Sequence, residues 1–316
     1  METHNFEHLP HAQIDTYRSL CNRQHIIGHI AHFRTPLRRT ADGREARGKP
    51  MTPDVPVEAS HVAFATELAN TSRRMIEQNR RDRLGVSLKP DRSLVTMMDM
   101  AIERELRAMI KSRFPEHGII GEEQAWENED AEFVWILDPI DGTASFIAGM
   151  PVYGTLIALA HRGVPVLGII DIPPVDARWL GVSGQPTLKN GAPCRVKPCP
   201  DLSLAMMSTS NPDFYSKAER PALDLLRART NWRIYGGAAL AYGLLSDGGT
   251  DVALDTGLKI YDFAPFRPII EGAGGVITDW RGNPITLKSG PRILAAGDRQ
   301  KHSEIVGLLN GLDIGA

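Results

Sequence analysis

The chain is short of cysteine, of long apolar runs and of net charge, and each shortage closes off a class of protein. Three cysteines in 316 residues, Cys21, Cys194 and Cys199, are too few and too irregularly spaced for a disulfide framework or a zinc site. They point to a reducing compartment and a cytoplasmic location. No apolar run approaches the roughly 18 residues of a membrane helix. Residues 1–30 are polar and rich in histidine, unlike a secretory signal. With 36 basic against 38 acidic residues the formal charge is -2, so no long-range field marks nucleic acid or an anionic membrane as a partner. An anionic small molecule stays open, because a bound cation supplies locally the charge that the protein lacks overall.

What is present is an ordinary globular composition, 42% apolar and 23% charged, in a chain long enough for one large domain or two modest ones. Residues 1–56 differ from the rest. Six of the ten histidines fall by residue 32, and "RTPLRRTADGREARGKPMTPDVP" is Arg-rich and Pro-punctuated, which reads as a flexible extension. His25, His29 and His32 share a helical face, but no carboxylate or cysteine completes a metal set. Met51 is an alternative start, since globular patterning begins just after it. From Val57, two helical stripes precede the buried strand "FVWIL" and the strands "VYGTLIALA", "VLGIIDI", "RWLGV" and "TLKNGAPCRV". The second half alternates helices with "WRIYG", "DVALD", "GVITDW" and "RILAAG". This order predicts sheets layered with helices: an α+β subdomain over 57–200 with an antiparallel sheet, and a mixed α/β subdomain over 201–316.

The stretch "FVWILDPIDGTASF" ends its apolar strand on two carboxylates, Asp138 and Asp141, with Pro139 stiffening the loop between them. Oxygen ligands with no histidine or cysteine nearby suit a hard cation, Mg2+ before Zn2+. Gly142 and the helix start at Thr143 offer free N–H groups, a ready anion site. A plain Asp-Gly turn, with Asp141 capping a short helix, accounts for the same residues. Three further acidic stretches shift the balance. "IIGEEQ" places Glu122 and Glu123 after an apolar run, "LKIYDFAP" sets Asp262 just before a helix, and Thr96-x-x-Asp99 has the form of a capping box. Each has a local explanation, but acids gathered at element ends are what a two-metal site needs.

"GEE", "WILDPIDGT" and "YDFAP…EGAGGVITDWRG", in this order, resemble the inositol monophosphatase family of Mg2+-dependent phosphatases, over roughly Val57 to the C-terminus. The resemblance implies an αβαβα sandwich, usually assembled as a homodimer, with two or three Mg2+ ions per site. It implies that Glu122, Asp138 and the Ile140 carbonyl hold one metal, and Asp138, Asp141 and Asp262 a second. Thr143 and Asp99, with Glu122, activate the attacking water. Asp141 and the N–H groups of Gly142 and Thr143 meet the phosphate, and Lys89 lies near the site.

Within that family, "GTLIALAHRGVPVLGIID", "ARWLGV" and "GLKIYDFAPFRPIIEGAGGVITDW" look most like the histidinol-phosphatases. Asp255 occupies the place of an acidic substrate contact, although a turn-capping role fits it too. Arg178 and Trp179 line the substrate pocket in one reading, and are a surface arginine beside a packed aromatic in the other. Ala238 and Ala239 depart from the histidinol-phosphatase pattern, which carries an Asp and a Cys in that stretch. The expected activity is hydrolysis of a small phosphate monoester, histidinol phosphate first and inositol monophosphate second. A nucleotide or sugar bisphosphate phosphatase and a regulatory interaction protein are the further alternatives.

Overall fold

A computed structural model describes residues 57–79, 86–89 and 94–313. The extension 1–56, with His25, His29, His32 and Met51, lies outside the described residues.

Helix α1 (Ala59–Asn79) buries Ala65, Leu68, Ala69, Ser72 and Ile76, a run at helical spacing. A hairpin of β1 (Val86–Leu88) and β2 (Leu94–Thr96) leads into α2 (Met97–Arg113). The expected capping box opens α2: Thr96 Oγ1 accepts from the N–H groups of Met98 and Asp99, and Asp99 Oδ2 accepts from the Thr96 N–H.

One sheet holds seven strands in chain order: β3 (Gly118–Gly121), β4 (Phe133–Asp141), β5 (Gly154–His161), β6 (Val164–Ile172), β7 (Ala177–Val182), β8 (Leu188–Lys189) and β9 (Ala192–Pro193). Its strands pair antiparallel except β3 with β4, which run parallel. The wholly antiparallel first half is thus corrected. Residues 122–132 double back along β3, where Ile119 and Glu127 exchange both backbone hydrogen bonds, so the chain enters β4 from the same end. The other sheet holds β10 (Met206–Thr209), β11 (Trp232–Tyr235), β12 (Val252–Asp255), β13 (Val276–Asp279) and β14 (Ile293–Ala296), ordered β11-β10-β12-β14-β13 and mixed as expected.

The remaining helices are α3 (Thr143–Ala148), α4 (Arg220–Arg229), α5 (Ala238–Ser246), α6 (Ile260–Phe263), α7 (Phe266–Gly272) and α8 (Arg299–Asn310). Asp262 precedes the helix α7 as expected, and itself lies within the short α6, which ends before Pro265, a residue with no N–H to extend the ladder.

Alternation along the strands sorts side chains into separate cores. Trp135, Leu137, Ile157 and Ile169 pack under α1 and α2. Ile170, Ile172 and Trp179 face α5 and α7, which are backed by Ala253, Ile293 and Ala295 of the second sheet. Val252, Leu254 and Leu294 point the other way, onto α4 and α8. Helices, sheet, helices, sheet, helices: the sandwich is αβαβα.

His302 of α8 is buried against Thr278 Oγ1, 2.9 Å from its Nε2. Burial, with a smaller push from Arg299, lowers its pKa from the usual 6.5 to about 4. The unfolded chain therefore binds a proton that the fold refuses. Stability is full above about pH 6.5 and falls as pH drops toward 4, by up to about 3 kcal/mol. Denaturant midpoints across that range check this, and His302→Asn flattens the slope.

Candidate active site

Strand β4 carries Asp138, still buried, and Asp141 at its C-terminal end, and α6 brings Asp262 to them. One carboxylate oxygen of each lies within 4.8 Å of the other two. The turn reading of Asp141 does not hold. The cap of α3 is Gly142, which makes no side-chain cap bond, and Asp141 Oδ2 instead accepts from the Ala239 N–H at 2.6 Å. Gly142 has φ +78°, the left-handed region that a side chain would strain. Asp262 Oδ2 accepts from the Lys259 N–H at 2.6 Å, so its local cap exists as well.

Glu122 stands at the edge of this trio. Its Oε1 accepts from Lys89 Nζ at 2.7 Å, and Lys89 also reaches Glu123 Oε1 at 2.8 Å. Burial opposes the charge on Lys89, but these two bonds outweigh it and hold the ammonium protonated. Asp99 is fully buried. Its Oδ2 is engaged by Thr96, while its Oδ1 is 3.5 Å from Thr143 Oγ1, which lies 3.1 Å from the Ile140 carbonyl. All the acids are crowded. Burial, then the charges of Glu122, Asp141 and Asp262, drives Asp138 well above the usual carboxylate range. Burial above all raises Asp262 likewise and brings Asp141 up to about 7.

Asp138 Oδ1 is buried with no hydrogen-bond partner. A buried carboxylate oxygen without a donor is costly, and three neighbouring carboxylates compound the cost. An oxygen-only donor set with that orphan atom fits a hard divalent cation.

Asp255 lies deeper. Its Oδ1 accepts from Thr209 Oγ1 at 3.0 Å and the Ser210 N–H at 2.6 Å, and its Oδ2 from the Tyr242 hydroxyl at 2.8 Å. Tyr242 is itself stacked on Phe266 at 3.9 Å. Arg178 turns to Asp171 and Asn70, and Trp179 is fully buried, so this pair takes the packed arrangement of the two expected. At Ala238 the backbone adopts φ +45°, which brings the next N–H onto Asp141.

Sequence reasoning missed Glu103. Its fully buried carboxylate accepts from the N–H groups of Glu123 (2.7 Å) and Gln124 (3.1 Å) and from Arg107 Nε (2.8 Å), fastening the turn that carries Glu122. Gly121 is required there, since a Cβ would sit 2.2 Å from Glu103 Oε1. The available signal was the charged row Asp99, Glu103, Arg107 at i,i+4 spacing on a helix otherwise apolar on that side.

This fold and acidic site define a metal-dependent phosphatase class. Residues 58–312 match the model of the inositol monophosphatase family, and the chain belongs to that family, whose members are phosphoric monoester hydrolases. It is 39% identical over 252 residues to the bifunctional phosphatase IMPL2, chloroplastic, of Arabidopsis thaliana, covering 77% of this chain and 73% of that protein. It is 30% identical to a histidinol-phosphatase of Chlorobaculum parvum, covering 83% and 98%. An inositol monophosphatase from Zymomonas mobilis superposes with a TM-score of 0.73 at 39% identity, covering 79% of this chain and 98% of that one.

Proposed function

We propose that this protein is a Mg2+-dependent phosphatase that hydrolyses histidinol phosphate to histidinol, a step of histidine biosynthesis. The observation carrying the metal-dependent reading is the trio Asp138, Asp141 and Asp262 around an orphaned carboxylate oxygen. In this reading Glu122, Asp138, Asp141, Asp262 and the Ile140 carbonyl hold the ions. Bound Mg2+ supplies charge neutralisation at the phosphoryl group and a water of lowered pKa. Thr143 would orient the attacking water, and Asp99, 3.5 Å from the Thr143 hydroxyl, would take a proton passed on by it. Gly142 and Thr143 receive the phosphate on their N–H groups. Lys89 keeps Glu122 in place, and Asp255, buried with both oxygens engaged by Thr209, Ser210 and Tyr242, acts from behind the substrate wall and not as the direct contact expected of it.

The three phrases over 154–171, 177–182 and 257–280 support histidinol phosphate, as does the likeness to the Chlorobaculum protein. Inositol monophosphate is the second reading, favoured by the likeness to the Zymomonas enzyme. Residues 57–200 and 201–316 are taken as the two subdomains that together complete the site. A cytoplasmic location rests on free Cys194 and Cys199; among the described residues no helix is long and apolar enough to cross a membrane. A homodimer is part of the proposal, and a sedimentation mass of one 34.8 kDa chain would end it.

The test measures phosphate release from histidinol phosphate, inositol 1-phosphate and a bisphosphonucleotide, with Mg2+ and with chelator. Release that needs Mg2+, with the highest kcat/KM on histidinol phosphate, is the expected result. A kcat/KM no better than that for inositol phosphate overturns the substrate, and release indifferent to chelator overturns the metal.

A further inference from the structure

Asp138 and Asp141 reach one site because β4 and β5 fall out of step between them: three residues apart on a regular strand they would point to opposite faces. Their register is regular as far as Asp138 opposite Leu156, then resumes at Asp141 opposite Gly154, so Thr155 alone faces the two residues Pro139 and Ile140. In that bulge the Pro139 carbonyl accepts from Thr155 Oγ1 at 2.9 Å. Thr155 Oγ1 also lies 2.5 Å from Ser72 Oγ of α1, and both residues are fully buried. The direction of this chain follows from its end. A carbonyl only accepts, so the Thr155 proton goes to Pro139, and the Ser72 proton must go to Thr155.

Ser72 is in turn fixed by its neighbour. Arg73 grips the fully buried Asp171 through Nε at 3.1 Å and Nη2 at 2.7 Å, and Arg178 Nε holds the same carboxylate at 2.7 Å. Asp171 lies opposite Thr155 in the β5–β6 register. Helix α1 is thereby pinned at the level where its hydroxyl meets the strand.

We infer that Ser72 and Thr155 are positioning residues for the metal site. Neither is a ligand. They set the peptide that joins Pro139 to Ile140, and with it the directions of the Asp138 and Asp141 carboxylates and the Ile140 carbonyl. The inference rests on the metal-site reading proposed above. Partners that orient ligands from behind typically account for about 10- to 100-fold in metal affinity.

Thr155→Val keeps the shape and β-branching of the residue but removes the donor, leaving the Pro139 carbonyl unpaired. Calorimetric titration of the whole protein with Mg2+ is expected to show affinity weakened about 10- to 100-fold. Thr155→Ser, which keeps the hydroxyl, restores most of it. At saturating Mg2+ the kcat of Thr155→Val falls by less than its metal affinity. Melting curves without metal confirm that each variant folds. Should Thr155→Val not fold, Ser72→Ala gives a smaller loss in the same direction. Wild-type affinity in the variant that folds, or a Thr155→Ser protein as weak as Thr155→Val, overturns the inference. A folded wild-type protein that takes up no Mg2+ overturns the metal-site reading itself.

Discussion

Asp141→Asn is expected to reduce Mg2+-dependent phosphate release by roughly a thousandfold while leaving the metal-free protein as stable as before, or more so. The two effects have opposite signs for one reason. The introduced amide oxygen still accepts from the Ala239 N–H, which is 2.6 Å from the present carboxylate, so the loop keeps its anchor. On the proposed metal reading, one negative charge needed to hold the second cation is gone, and such a cation would contribute several kcal/mol of transition-state stabilisation, at tenfold in rate per ~1.4 kcal/mol. Without metal the carboxylate is a burden. Its pKa lies at about 7, against 3.8 in an unfolded chain, chiefly through burial. The folded state therefore loses stability as pH rises from about 4 through 7. An uncharged amide escapes that loss, so at pH 8 the variant should melt no lower than wild type without Mg2+, and gain less than wild type when Mg2+ is added. Phosphate release and melting curves, each with and without the ion, check both halves. Wild-type turnover would remove Asp141 from the machinery.

Glu103→Ala has the second largest expected effect, this time on stability. Glu103 is fully buried and pairs with an Arg107 side chain only 4% exposed. Breaking a buried pair from one side typically costs 3–5 kcal/mol. Arg107 keeps Glu127 Oε1 at 3.0 Å and the Gln124 carbonyl at 3.2 Å, so roughly 3 kcal/mol, the lower end of that range, is expected. The same substitution frees the N–H groups of Glu123 and Gln124, and the turn presenting Glu122 loosens. Chemical denaturation measures the first consequence and kcat/KM the second. A variant as stable as wild type would show that the pair gives no net stabilisation.

Much of this was readable before any coordinates. Continuous apolar runs marked β4 through β7, and the abrupt change from "FVWIL" to "DPIDG" marked two of the acids that the fold gathers with Asp262. The capping signature of Thr96 and Asp99 forms as its spacing requires. Short or polar elements were not readable. Strand β10, "MMST", places Ser208 and Thr209 in a buried layer where parallel neighbours supply its partners, so its composition resembles a loop. The parallel pairing of β3 with β4 depends on a backbone bridge between Ile119 and Glu127, which no periodicity encodes. Within the candidate site, the stretches that carry the clustered acids had their own local signal. Their supports did not, because Glu103 acts on a turn 20 residues away and the Ala239 N–H on a carboxylate 98 residues away. A main-chain donor has no side-chain signature at all.

The acids of the centre arrive from two separate parts of the chain, Asp138 and Asp141 on the end of β4 and Asp262 on α6. Like charges converging from both sides push those parts apart, so a divalent ion seated there works as a rivet as much as a reagent. Stripping it should loosen the seam between β4 and α6 first, exposing the backbone near Lys259 and Asp262 to proteases well before the sheets themselves give way.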